Sequence, residues 1–129
     1  MNRNKLVELY KKYELTKDDV YKHKMYVIIT RQGIEKIQAK EKIVISYEVI
    51  KCETNFAVIK AVAVKENMTI ETFGSALKGE GYKDGKCQSF YVAEMAEKRA
   101  LSRSVLKLTG FYELGVFGED ESDDFKNKN

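Results

Sequence analysis

The residues able to do covalent or metal chemistry are few: two cysteines, Cys52 and Cys87, and a single histidine, His23. A zinc site wants ligands at close spacing, such as a CxxC pair, and the chain has none. Cys87 and His23 make a formal nucleophile–base pair. No neighbour in sequence would activate the thiol, so the plainer reading is a small apolar strand residue and a solvated loop histidine. There is no GxxxxGK[ST] phosphate loop and no GxGxxG following a strand. Residues 78–86 interleave Gly79, Gly81 and Gly85 with charged residues at mixed spacing and read as a flexible loop rather than a nucleotide cradle. Enzyme chemistry is not visible, and no cofactor or metal is implied.

The remaining chemistry is electrostatic. The formal net charge is only +3, but it is unevenly spread. Residues 1–110 hold 21 Lys and Arg against 14 Asp and Glu, a net of +7; residues 111–129 hold 2 against 6, a net of −4. A basic body with an acidic end points to polyanion binding, with a regulatory or protein-binding tail. Part of the basic charge gathers on one expected helix, residues 88–109. Arg99, Arg103 and Lys107 stack on one face at a spacing of four, with Lys98 beside them. Acids early and bases late in a helix also complement its dipole, which accounts for Lys107 without any ligand. That account is weaker for Arg103, which stands among Ala100, Leu101, Ser104 and Val105 near the sheet-facing side. An arginine there snorkels, pairs with a carboxylate, or lines a groove that meets a phosphate backbone.

These residues need a scaffold, and 129 residues with 43% apolar content suit one packed domain. Helical spacing of Leu6, Val7, Leu9, Tyr10 and Tyr13 predicts a first helix over 3–13, capped by Asn2 or Asn4. Thr16, Lys17, Asp18 and Asp19 resemble a second helix start, giving a short helix that ends before Met25. Residues 25–29 read as a short buried strand. Thr30 caps a helix over about 31–40. Residues 43–52, 56–65 and 68–77 read as three strands joined by short turns, an antiparallel meander with the apolar second strand at its centre. Gln88 or Ser89 starts the longest helix and Gly110 ends it, with Ala93, Ala96 and Ala100 as a small-residue stripe able to lie close to a sheet. The expected fold is α+β: a three-stranded antiparallel meander packed against a long C-terminal helix, preceded by short helices. Residues 1–118 form one domain, with 111–118 a short strand or docking segment. Residues 119–129 form an acidic, disordered tail.

No apolar run approaches the roughly 18 residues of a membrane span, and no signal-peptide pattern opens the chain. With reduced cysteines this points to a cytoplasmic protein without a membrane partner.

Segment 91–111 carries a resemblance. Glu97, Arg99-Ala100-Leu101, Arg103 and Gly110 resemble the signature helix of the Rad-fifty-two superfamily of single-strand annealing proteins, which includes phage recombinases of the Sak, Erf and Red-beta types. The segment 31–37 resembles the short helix before the meander in those proteins, and Gly74 their glycine before the loop. Ser102 departs from the pattern, since some members carry a second basic residue there. The resemblance covers about residues 25–118. It implies an ATP-independent, non-enzymatic protein that binds single-stranded DNA and anneals strands in phage or bacterial recombination and repair, working as a homo-oligomeric ring or filament. It implies phosphate contacts from Arg103 first, then Arg99, Lys107 and Lys98. Lys78, Lys83 and Lys86 would clamp the strand from the loop, and Tyr82 would stack on a base or else pack locally. Residues 119–125 would screen that groove, recruit a basic protein partner, or serve only as a solubilising tail. The alternative to all of this is a small α+β protein-binding or regulatory module without nucleic-acid activity.

Overall fold

The computed structural model describes residues 3–78 and 91–121. In chain order the elements are α1 (Arg3–Lys12), β1 (Val20–His23), β2 (Tyr26–Ile29), α2 (Arg31–Glu41), β3 (Val44–Cys52), β4 (Phe56–Lys65), β5 (Met68–Leu77), α3 (Val92–Leu108) and β6 (Val116–Gly118). Short 3-10 turns occupy Tyr112–Leu114 and Glu119–Glu121. Among the described residues the fold is mixed α+β, with two separate three-stranded sheets.

The meander β3-β4-β5 forms as its alternation predicts, antiparallel throughout. β4 turns Ala57, Ile59, Ala61 and Ala63 inward, all buried. One shift in register, between Val49 and Lys51, makes a β-bulge in β3. Thr30 caps α2 as expected, its hydroxyl accepting from the Gly33 amide at 3.2 Å.

The meander is not the whole architecture. Residues 16–23 do not form the expected short helix. The Asp19 carboxylate accepts from the amide and the hydroxyl of Thr16, which closes a turn instead of capping a helix. The β-branched and aromatic residues of Val20–His23 then pair antiparallel with β2, and Lys24 takes a left-handed conformation in the connection. β6, only three residues long, adds to β2 in parallel and completes a sheet of order β1-β2-β6. The long helix is therefore not the end of the ordered chain. Nor does the acidic end begin as a disordered tail: Glu119–Glu121 is a 3-10 turn, and Glu121 is 3% exposed. The expected helix starts at Gln88 and Ser89 lie outside the described residues, as do residues 122–129.

The main core joins α1, α2, β2, β6 and the second half of α3 around Tyr13, Ile29, Ile34, Ile37, Leu106 and Phe111. A smaller cluster of Ala57, Ile59, Ala76, Val92 and Ala96 seats the first half of α3 on the meander.

Candidate nucleic-acid interface

The position of α3 decides where its arginines go. Ala96 and Ala100 are fully buried against the sheet, and Gly74 of β5 lies directly beneath them. A Cβ built on Gly74 would fall 2.1 Å from the Ala96 carbonyl oxygen and 2.6 Å from the Ala100 nitrogen, so no larger residue fits this backbone approach. The Thr72 hydroxyl donates to the Ala100 carbonyl at 2.9 Å and fixes the same contact. With the small-residue stripe turned to the sheet, Arg99 and Arg103 run along β5, which is an edge strand.

Both guanidinium groups are engaged there. Arg99 donates from Nη1 to the Ser75 carbonyl at 2.7 Å and from Nε to the Asp120 carbonyl at 3.0 Å, and the residue is 6% exposed. Arg103 donates from Nη1 to the Phe73 carbonyl at 2.7 Å and from Nε to the Glu121 carboxylate at 2.8 Å. Its side chain keeps 32% exposure against 4% for Glu121. Of the three roles open to Arg103 from sequence, pairing with a carboxylate is present in the fold. Each arginine ties the edge of the meander to the turn 119–121.

That turn collects further cations. The Glu119 carboxylate accepts from the Arg31 amide at the start of α2, at 3.2 Å. Burial pushes the Asp120 carboxyl up from its ordinary range, while Arg31, Lys98 and Arg99 pull it down. Arg31, Lys98, Arg99 and Arg103 thus surround one acidic turn. Lys107, one helical turn beyond Arg103, is exposed, with its ammonium 5.6 Å from the centre of the Tyr112 ring. Lys78 sits at the end of β5; Tyr82, Lys83 and Lys86 lie outside the described residues. Ser102 is buried against Gly118 of β6, where an added Cβ would stand 2.7 Å from its own. A long basic side chain at position 102 would collide with β6.

Arg31 is the member of this cluster that sequence reasoning did not assign. Its position depends on the β2–β6 pairing, which carries residues 119–121 back to α2. That pairing joins segments nearly ninety residues apart, and the three residues of β6 leave too short a pattern to announce it.

Two other charged clusters are structural. Fully buried Asp19 accepts from Lys36 Nζ at 2.7 Å and Gln32 Nε2 at 2.8 Å, which locks the 16–19 turn to α2. Glu41 pairs with Lys65 at 2.9 Å and accepts from the Tyr13 hydroxyl at 2.9 Å, which ties α2 to β4 and α1. Among the described residues no group of His, Cys, Asp and Glu could hold a metal ion, and no helix is long and apolar enough to cross a membrane. An open groove of about 640 Å³ between α1 and the β1–β2 hairpin, lined by Leu6, Tyr10 and Met25, holds none of the residues expected to bind nucleic acid. Compared with family models, curated proteins and solved structures, the chain matches none.

Proposed function

We propose that this protein binds single-stranded DNA along the α3–β5 edge and anneals complementary strands without nucleotide hydrolysis. The observation that carries the reading is the convergence of Arg31, Lys98, Arg99 and Arg103 on one edge of the molecule, with Lys107 continuing the line. The likeness of segment 91–111 to the annealing-protein signature supports the same assignment. In this reading Lys98, Lys107, Arg31 and the open side of Arg103 meet phosphates, and Arg99 positions the edge they share. Lys78, at the end of β5, extends the track; Lys83, Lys86 and Tyr82, which the resemblance would set against the strand and a base, lie outside the described residues. Cations along a backbone track give affinity without base readout, because each neutralised phosphate releases counterions. Bases left facing outward are free to pair with a second strand. A gel shift with labelled oligonucleotides tests the binding. The expected result is retention of single strands in preference to duplex at low salt. Absence of binding to either at about 50 mM salt, where a multi-cation track is strongest, overturns the reading.

The second reading, a protein-binding module, rests on the meander. Among the described residues, eight of the eleven large exposed apolar side chains belong to it: Val44, Tyr47, Val49, Ile50, Val64, Met68, Phe73 and Leu77.

A further inference from the structure

We propose that the outer edge of β3 pairs antiparallel with β3 of a second copy, joining two meanders into one six-stranded sheet in a two-fold symmetric dimer. The inference stands apart from the nucleic-acid reading and rests on the unlike treatment of the sheet's two edges.

The β5 edge is blocked at Phe73–Ser75. The Phe73 and Ser75 carbonyls accept from Arg103 and Arg99, and the turn 119–121 lies beside them. A strand arriving there would have to displace two guanidinium groups and a buried carboxylate. The β3 edge is open among the described residues. Eight of its nine residues are exposed, all but Ile45, including Val44 at 69%, Val49 at 62% and Ile50 at 51%. A nine-residue apolar edge strand left unpaired is a template for another strand.

The sequence of β3 says which strand fits. Glu48 lies opposite Lys60, and Lys51 opposite Val58, so both share the face of the sheet away from α3. Without the bulge at Ile50, residues 48 and 51 would point to opposite faces; with it they are on the same one. A two-fold axis between Val49 and Ile50 then sets Glu48 across from Lys51 of the second copy, and Lys51 across from its Glu48. Val49 and Ile50 meet their counterparts at the axis. On the α3 side, Tyr47 comes opposite Cys52 of the second copy. An isologous contact requires a surface complementary to itself, and this register supplies it in charge and in apolar contact together. Since the other edge is blocked at Phe73–Ser75, it offers no second strand of this length, and the pairing ends at two copies.

Light scattering on the protein without nucleic acid tests this. The expected mass of the wild type is twice the 14.9 kDa chain, or an even multiple of that. Glu48→Lys alone and Lys51→Glu alone each place two like-charge pairs at the seam and should weaken self-association about tenfold or more. The double variant, Glu48→Lys with Lys51→Glu, restores opposite charges across the seam, with loss of the 3.1 Å Glu48–Lys60 pair inside each copy, and should associate more tightly than either single variant. Lys51→Glu serves as the control for folding, because Lys51 is exposed and its contact with Glu53, at 3.9 Å, is long. A monomeric wild type, an odd-numbered assembly, or single variants that associate as the wild type does would each overturn the proposal.

Discussion

At the scale of single residues, the arginines of α3 are both structural and basic, and the two roles separate experimentally. Arg103 holds the Glu121 carboxylate, which has 4% side-chain exposure. Arg103→Ala leaves that carboxylate without its guanidinium. Because Arg103 is itself a third exposed, the cost should be about 2 kcal/mol, below that of a fully buried pair, and seen as a fall in Tm of about 5–10 °C. Lys107→Ala removes an exposed charge and should leave Tm nearly unchanged while weakening single-strand binding. Thermal melting and oligonucleotide titration on the two variants check this; a stable Arg103→Ala protein would remove Arg103 from the framework. The sequence left three roles open for Arg103. Its partner lies 18 residues away on a separate segment, and helical spacing carries no information about such a contact.

At the scale of elements, what could be read was what repeats. Alternation in 43–52, the doubly apolar run 56–65 and the alanine stripe of 91–111 announce the meander and the helix on it, because each pattern is long enough to fix a period and a face. The 16–23 segment was misleading for a physical reason. A hydroxyl followed by acids resembles a helix start, but Asp19 spends its carboxylate on Thr16, Gln32 and Lys36. These junctions make the fold sensitive to acid. Burial alone would raise the Asp19 carboxyl; hydrogen bonds from Lys36, Thr16 and Gln32 outweigh it and hold it at about 2. The hydrogen bond from Lys65, with help from Tyr13 and Lys12, overcomes burial and holds Glu41 at about 2. Both carboxyls are depressed in the folded state, so the stability they contribute is present above the ordinary carboxylate range. It is lost as pH falls from about 4.5 through 2, on the order of 2 kcal/mol each. Denaturant melts between pH 5 and pH 2 should show this fall, and Asp19→Asn should flatten part of it. A stability that is level across that window would contradict the account.

At the scale of the whole molecule, the charge asymmetry changes meaning once the chain is folded. A basic body and an acidic end suggest a polyanion site with a detached tail, yet the first acids of that end are folded against α2 and α3. Glu119 caps the start of α2 and Glu121 anchors Arg103. The cluster was legible as a sum of charges on α3. It was not legible as a place, because Arg31 joins it only through the parallel β2–β6 pairing. Strand annealing is measured as the rate at which complementary oligonucleotides pair, followed by fluorescence quenching without ATP. The protein should accelerate pairing, added salt should abolish the acceleration steeply, and Lys98→Ala combined with Lys107→Ala should reduce it in a protein that melts as the wild type does. A pairing rate equal to that of the oligonucleotides alone at low salt would contradict strand annealing.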